Sequence, residues 1–298
     1  MRILSFLMLA YSLAACAGSG VQETAIDDFP SATIHRTFVD GSFGQVHVRI
    51  AKPLDDASSR PPLLLLHPSP YSSAFFIDFM NAMSEDRLVI AVDTPGFGDS
   101  DRPDTPPSMT EYAANALIVL DQLDVQQPVD VLGYHTGTLI AIEMAIEAPE
   151  RVHRLVLPGV PYFTGEAQQQ AFDSYARPDL LEVSGAHFQG KWAFASGGLK
   201  YGMSLERAQA HFSDLVQAMP HSGHAYYGVF TYPGEAQLPK LTQPSLFIAP
   251  TGSLLAETQA AQAITPNSEL RILSEYPHNV FDLGVPLMVE LTREFLDR

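Results

Sequence analysis

The sequence is short of cysteine and of positive charge. Cys16 is its one cysteine, which excludes an intrachain disulfide, and 17 Lys and Arg stand against 34 Asp and Glu for a formal net charge of −17. Because an acidic protein repels a phosphate backbone, we expect no nucleic-acid partner. The 298 residues show no internal repeat, and their 46% hydrophobic content is ample for one large core.

The N-terminus has the pattern of an export signal. Arg2 precedes an apolar run over residues 3–15, and a run of about 13 residues is too short to span a bilayer but fits a signal-peptide core. The run ends in Leu13-Ala14-Ala15-Cys16, which resembles the lipobox of bacterial lipoproteins, in which the cysteine is lipidated. We therefore predict a signal peptide over 1–15, a lipidated tether over 16–32 and a membrane anchor at Cys16.

The residue after the cysteine bears on location. Ala17 is not aspartate, which resembles lipoproteins sent to the outer membrane, so we predict an exported outer-membrane lipoprotein facing the periplasm or the cell exterior. A plain secretory signal is the alternative, because Ala15-Cys16-Ala17 also fits the A-x-A cleavage pattern.

Short apolar segments alternate with helical patterns from residue 33 onward. Two alternating segments predict a hairpin, and continuous apolar runs predict buried strands. The predicted strands are 34–39, 46–51, 63–66, 88–92, 129–132, 155–157, 245–249 and 270–273. The predicted helices include 73–83, 112–123, 139–148, 205–219 and 286–297. This alternation predicts an α/β protein with a mostly parallel sheet flanked by helices.

Residues 160–240 depart from the alternation. They contain aromatics, histidines and glycines with helical patterning, but no strong strand. We interpret them as a helical cap inserted between strands 6 and 7 of one domain over 33–298. Such a cap forms one wall of a pocket above the strand ends.

Four motifs, in order, resemble those of the α/β-hydrolase superfamily. His67-Pro68-Ser69-Pro70 resembles the H-G-x-P loop, 93–100 resembles the D-x-P-G-x-G-x-S turn, and Gly133-Tyr134-His135-Thr136-Gly137 resembles the G-x-S-x-G nucleophile elbow. His278 matches the catalytic histidine that comes last in the chain order Ser…Asp/Glu…His. The resemblance covers 33–298 and implies the α/β-hydrolase fold, with eight strands and a cap.

Two members of the family's catalytic triad have no counterpart. A histidine, His135, stands where the family has its nucleophilic serine. The usual acid follows the strand 245–249, but residues 250–255 contain no carboxylate, and the alternative acid position at 158–160 reads Pro-Gly-Val. Fold alone does not give function, so the triad chemistry does not carry over.

The leading interpretation of His135 is catalytic. The elbow would place its imidazole near His278, and imidazole titrates close to neutral pH. The two histidines would then titrate as a coupled pair that transfers protons. The resemblance implies an oxyanion hole formed by the backbone N–H groups of Ser69 and Thr136. A covalent role for His135 is less favoured, since nothing obvious orients and deprotonates it.

Three alternatives remain open. His135, His278 and His67 would be ligands if the site held a metal, although no H-x-x-x-H spacing is present. His135 would be merely tolerated at the elbow, whose left-handed backbone suits histidine, if the protein binds ligands without catalysis. A relocated nucleophile would be one of Ser69, Thr136 and Ser253.

Other residues have competing interpretations. Asp93 lies at a strand end but is mostly structural in relatives, and Glu166 and Glu257 are the candidates for a displaced acid. Cap aromatics that either line a pocket or hold the cap to the core are Trp192, Phe194, Tyr226 and Tyr227. Cap histidines expected at the polar surface are His187, His211, His221 and His224.

The sequence as a whole predicts an enzyme on the α/β-hydrolase fold. We expect a small, fairly apolar ester or carbonyl compound as substrate, acid–base work by His135 and His278, no serine nucleophile, no cofactor and no metal. The competing hypothesis is a non-catalytic ligand-binding pseudoenzyme on the same fold. The sequence sets no oligomeric state.

Overall fold

The computed structural model describes residues 33–53, 59–252, 254–276 and 279–298. The predicted signal peptide and tether, the anchor residue Cys16, Ser253 and His278 lie outside the described residues. Within the described ranges, no helix combines the length and the hydrophobicity needed to cross a membrane.

Eight strands form one sheet in the order β1-β2-β4-β3-β5-β6-β7-β8. Their bounds are β1 Ile34–Gly41, β2 Gly44–Ala51, β3 Leu63–Leu66, β4 Val89–Val92, β5 Val129–Gly133, β6 Val152–Pro158, β7 Ser245–Pro250 and β8 Ser268–Leu273. The hairpin of β1 and β2 pairs antiparallel with β4, and β3 to β8 run parallel. The predicted mostly parallel eight-stranded sheet is confirmed.

The central strands are apolar along their whole length because both faces are covered. All four leucines of β3 and all four residues of β4 are buried, and these strands pair in register from Leu63↔Val89 to Leu66↔Val92. Two separate hydrophobic clusters lie on the two faces of the sheet. Burial on both faces explains why these strands show no alternation of apolar and polar residues.

Helices connect the parallel strands. Those outside the cap are α1 Ile77–Met83, α2 Met109–Gln122, α3 Thr136–Glu147, α9 Leu255–Ala263, α10 Val280–Leu283 and α11 Val285–Leu296. The predicted capping box starts α2, since the Ser108 hydroxyl accepts from the Glu111 N–H and the Glu111 carboxylate accepts from the Ser108 N–H. This exchange satisfies two backbone donors that the first turn leaves unpaired.

The cap lies between β6 and β7, as predicted. Its helices are α4 Gly165–Tyr175, α5 His187–Ala195, α6 Leu205–Gln217, α7 Gly223–Thr231 and α8 Gly234–Gln237. Helix α6 ends at Gln217 rather than at the predicted residue 219. Pro220 accounts for the earlier end, because a proline disfavours the helical conformation in the residue before it.

Candidate functional site

A sharp turn between β5 and α3 places His135 at the top of the sheet. His135 has φ 48° and ψ −113°, a left-handed conformation that is uncommon for a residue with a side chain. Gly133 and Gly137 have no room for a Cβ atom, because one would meet the backbone of Gly137 or of Leu66. The two glycines therefore let the strand and the helix approach closely enough to form the turn.

The imidazole of His135 lies over the end of β6. The His135 N–H donates to the carbonyl of Pro158 at 3.2 Å, and the ring lies 4.1 Å from the ring of Tyr134 between centroids. A Cβ atom on Gly159 would lie 2.5 Å from Cδ2 and 2.8 Å from Nε2 of His135. The glycine after β6 is thus the residue that leaves space for the imidazole.

A cavity of about 300 Å³ opens beside this turn. Its lining is mostly apolar and aromatic, with side chains from the core loops and from the cap. The lining residues are Pro68, Ser69, Tyr71, Tyr134, His135, Thr136, Pro161, Phe163, Tyr175, Phe194, Tyr226, Val229, Phe230, Leu254 and Asn279. No Asp, Glu, Lys or Arg is among these described lining residues. Ser69 and Thr136 line the same cavity as His135, and so does Asn279, which follows His278 in the chain.

Three of the tyrosines that line the cavity do not supply an anion at neutral pH. Burial raises the pKa of Tyr71, of Tyr134 and of Tyr226 well above the usual phenol value. Imidazole, in contrast, ordinarily titrates close to neutral pH. Among the described lining residues, His135 is therefore the side chain suited to proton transfer.

The loop after β3 is tied to the cap. The hydroxyl of Tyr226 on α7 donates to the carbonyl of Ser69 at 3.1 Å. The Ser69 side chain is buried, and its hydroxyl has no hydrogen-bond partner within the described part of the chain. Because the cap holds this carbonyl, Ser69 is fixed at the cavity wall through the peptide that joins it to Pro70.

A second tie joins α6 of the cap to the same loop. The Asp214 carboxylate accepts from the Ser72 N–H at 3.1 Å and from the Ser72 hydroxyl at 3.0 Å. Burial raises the pKa of Asp214 to about 6, although the hydrogen bonds from Ser72 act in the opposite direction. This contact is therefore sensitive to pH in the mildly acidic range.

A third tie joins α6 to α10. His211 Nε2 lies 2.9 Å from Asp282 Oδ1, and Arg207 Nε lies 2.7 Å from the same oxygen. Burial alone raises the pKa of Asp282, but His211 and Arg207 together hold that pKa below its usual value. The expectation that the cap histidines lie at the surface is wrong for His211, which is buried because it pairs with Asp282 and packs against Tyr71.

The model of the family described as the alpha/beta hydrolase fold matches residues 61–285. The chain belongs to the alpha/beta hydrolase family. Two solved structures illustrate the likeness in fold. A hydrolase from Pseudomonas aeruginosa PA01 superposes with a TM-score of 0.74 at 20% identity, covering 89% of this chain and 99% of that one. The enol-lactonase from Burkholderia xenovorans LB400 superposes with a TM-score of 0.70 at 17% identity, covering 88% and 100%. Identities this low establish the common fold alone.

One curated relative is closer in sequence over a shorter length. The chain is 40% identical to a 2-hydroxymuconate semialdehyde hydrolase of Pseudomonas putida over 114 residues, which is 36% of this chain and 38% of that protein. The match therefore spans about two fifths of that relative. These comparisons establish a member of the alpha/beta hydrolase family, and this curated relative is a hydrolase.

Asp93 and His67, which belong to the family motifs, stabilise the loops around the site and do not line the cavity. Asp93 accepts from His47 Nδ1 at 2.8 Å and from the Ser73 N–H at 2.6 Å. Although burial raises its pKa, these hydrogen bonds contribute to a net fall to about 2. His67 is fully buried, with Nε2 2.9 Å from the Thr94 nitrogen and Nδ1 3.1 Å from the Pro68 oxygen. Burial lowers the pKa of His67, and its engaged nitrogens make it a poor metal ligand.

Other groups suited to metal binding lie apart from the cavity. Among the described residues, the group whose ligand atoms lie within 4.8 Å of one another is His47, Asp93 and Asp99. None of these lines the cavity beside His135. Because Asp93 already accepts three hydrogen bonds, from His47, Ser73 and the Asp99 N–H, its carboxylate is occupied in holding the turn.

The predicted displaced acids do not line the cavity. Glu166 is exposed on α4, where it accepts from the Gln170 amide, and Glu257 lies in the first turn of α9. Of the cap aromatics, Phe194 and Tyr226 line the cavity, whereas Trp192 packs against Phe212 and Tyr227 packs against Phe172. Those last two thus hold cap helices together.

Sequence reasoning missed the part of the site that the cap contributes. Phe163, Tyr175 and Phe230 line the cavity, but nothing in their local pattern distinguishes them from other cap aromatics. Gly159 had a usable signal. In the sequence it closely follows a predicted strand, and a glycine there often marks a close approach between the backbone and another group. The structure gives it a φ of +69°.

Proposed function

We propose that this alpha/beta hydrolase acts on a small, fairly apolar ester or carbonyl compound by histidine-based acid–base chemistry, without a serine nucleophile. The observation that carries the proposal is His135, held in the elbow conformation at the wall of a mostly apolar cavity that no described carboxylate lines. A 2-hydroxymuconate semialdehyde hydrolase and an enol-lactonase are among the proteins similar to this chain, which supports hydrolysis as the reaction class.

In the proposed reaction, neutral His135 removes a proton from a water molecule as the water oxygen attacks the substrate carbonyl carbon. The electron pair of the C=O bond moves to oxygen, and the N–H groups of Ser69 and Thr136 donate to that oxyanion. When the intermediate collapses, the imidazolium returns its proton to the departing alkoxide, leaving acid, alcohol and neutral His135. His278 shares the proton with His135 as the second member of the pair.

The free-energy contributions expected from these groups are large enough for catalysis. General acid–base catalysis contributes roughly 3–5 kcal/mol, and one oxyanion-hole donor contributes roughly 3–4 kcal/mol. The apolar lining strengthens both contributions, because charge–dipole interactions are stronger where water is excluded. The same groups would also serve elimination or carbon–carbon cleavage next to a carbonyl.

A screen of small esters, lactones and carbonyl compounds tests the proposal, with wild type beside His135→Ala and His278→Ala. We expect kcat/KM to fall about 10²–10⁴-fold in each variant. His221→Ala is the matched control, because His221 pairs with His224 in the cap and does not line the cavity, and its rate should equal that of wild type. Turnover that survives both active-site substitutions would exclude the histidine mechanism.

The second candidate is a ligand-binding protein without catalysis, supported by the absence of a carboxylate from the described lining. Measuring the binding of the same compounds by calorimetry distinguishes a binding protein from an enzyme. A compound that binds wild type and is never converted identifies the binder, whereas turnover lost in His135→Ala identifies the enzyme.

We propose in addition that the chain is exported and anchored in the outer membrane through a lipidated Cys16. The lipobox-like Leu13-Ala14-Ala15-Cys16 supports this. Mass spectrometry of the mature N-terminus should find a diacylglycerol-modified residue 16, and Cys16→Ser should abolish both the modification and the membrane fraction. An unmodified mature N-terminus in wild type would contradict the anchor.

A further inference from the structure

Exposed apolar side chains are concentrated on one part of the cap. Fifteen large hydrophobic side chains are exposed among the described residues, and ten of them lie within residues 175–205, here called the cap face. These ten are Tyr175, Leu180, Leu181, Val183, Phe188, Trp192, Phe194, Leu199, Tyr201 and Leu205. Soluble proteins rarely expose so many large apolar groups together without a binding partner.

The cap face includes the point at which the cavities reach the surface. Tyr175 and Phe194 are each more than half exposed, yet both line the cavity beside His135. Both also line a neighbouring cavity of about 800 Å³. A molecule that enters either cavity past these two rings therefore crosses the cap face.

The charge of the cap face differs from that of the chain. It carries three cations, Arg177, Lys191 and Lys200, and two acids, Asp179 and Glu182, so its net charge is +1 while the whole chain has −17. The Lys200 ammonium lies 4.8 Å from the centre of the Tyr201 ring. Aromatic rings beside lysines and arginines are typical of surfaces at the boundary between water and lipid.

We propose that the cap face docks onto the surface of a lipid bilayer. Leu180 is 84% exposed and Val183 is fully exposed, so this segment projects from the molecule. A projecting apolar segment fits between acyl chains better than it fits a flat protein surface. Trp192 and Tyr201 would lie at the headgroup level, where amphipathic rings are favoured.

The chain outside the described residues is compatible with this docking. Seventeen residues separate Cys16 from Ile34, the first residue of β1, and such a segment reaches at most about 60 Å when extended. An anchor at Cys16 would thus keep the domain close to the membrane, where the cap face would meet the bilayer at a high effective concentration. Docking does not depend on the proposed chemistry, and its test uses no activity.

Trp192 is the one tryptophan of the chain, and it lies on the cap face. Its fluorescence therefore reports this surface alone. The full-length protein is added to phosphatidylcholine vesicles whose acyl chains carry bromine, a collisional quencher, and to identical vesicles without bromine. We expect a shift of emission to shorter wavelength with both vesicles and strong quenching only with the brominated lipid.

Two double variants distinguish docking from anchoring. Leu180→Asp with Val183→Asp should lower the docking equilibrium constant at least about tenfold, because two apolar side chains leave the interface. Ile118→Asp with Ile272→Asp replaces two exposed apolar residues outside the cap face and should leave the quenching of Trp192 unchanged, with circular dichroism confirming that both variants are folded.

Two results would overturn the proposal. One is unquenched Trp192 in protein that sediments with brominated vesicles, since the tether alone would then hold the chain there. The other is an emission shift that appears without vesicles and grows with protein concentration, together with dimers in sedimentation velocity, since a second copy of the chain would then cover the cap face.

Discussion

The imidazole of His135 occupies the space that a side chain on residue 159 would need. A Cβ atom there would lie 2.5 Å from Cδ2 of His135, well inside van der Waals contact. An acid at this position, at the end of β6, is therefore incompatible with the histidine at the elbow. His135 at the elbow thus requires a glycine at this alternative acid position.

Gly159→Ala should displace the imidazole and destabilise the fold. The added methyl group overlaps the ring, which costs about 1–3 kcal/mol, and the positive φ of +69° costs about 1–2 kcal/mol more for a residue with a side chain. We expect a total loss of about 2–5 kcal/mol in urea unfolding and a large fall in whatever turnover the wild type shows.

Gly165→Ala is the matched control for that substitution. Gly165 also has a positive φ, +56°, but a Cβ atom there would meet nothing within 4 Å, so only the backbone penalty of about 1–2 kcal/mol should appear. In the double variant His135→Ala with Gly159→Ala the overlap is removed, and the loss should shrink toward that of Gly165→Ala. Equal losses for both single glycine variants would show that the ring exerts no constraint.

His135→Ser restores the family's elbow motif and should still give no strong esterase. No described residue that lines the cavity is a carboxylate, so the described lining holds no group that would orient a general-base histidine and stabilise its positive charge for the new serine. We expect a fluorophosphonate to leave wild type unlabelled and to label His135→Ser slowly, with ester turnover near background. Rapid labelling of wild type would reveal a nucleophile elsewhere.

The sequence predicts most of the core because its signals are local. The apolar runs of β3 and β4, the Ser108 capping box and the glycines around His135 each act within a few residues. The burial of His211 could not be predicted in this way, since its partner Asp282 is 71 residues away in the chain. The cap lining was missed for a similar reason, because the packing of cap helices over the sheet depends on contacts distant in sequence.

Asp282→Asn should be one of the most destabilising conservative substitutions in the chain. Its carboxylate, 1% exposed, binds both Arg207 and His211. Breaking a buried ion pair leaves an uncompensated charge and costs about 3–5 kcal/mol. Asp121→Asn is the control, because Asp121 is half exposed beside Arg151 and should lose under about 1 kcal/mol. Similar midpoints in urea for the two variants would contradict a structural role for the tie between α6 and α10.

Titration of Asp214 should make the stability of the protein depend on pH. Its pKa is about 6 in the folded chain, against an ordinary value of 3.8 for an aspartate, so between these values the folded state binds more protons than the unfolded state. Stability from this group is therefore complete below about pH 4 and is lost as the pH rises through 6. A pKa difference of about two units between the folded and unfolded states corresponds to about 2–3 kcal/mol in the free energy of unfolding.

Asp214→Asn removes this pH dependence of stability, because an amide does not titrate. The amide oxygen of the new asparagine can still accept a hydrogen bond from Ser72. The difference in unfolding free energy between variant and wild type should therefore grow in favour of the variant from pH 4 to pH 7. Asp78→Asn removes one negative charge from an exposed position on α1 and controls for the change in net charge. A pH-independent difference for Asp214→Asn would mean that the tie between α6 and the β3 loop does not titrate in this range.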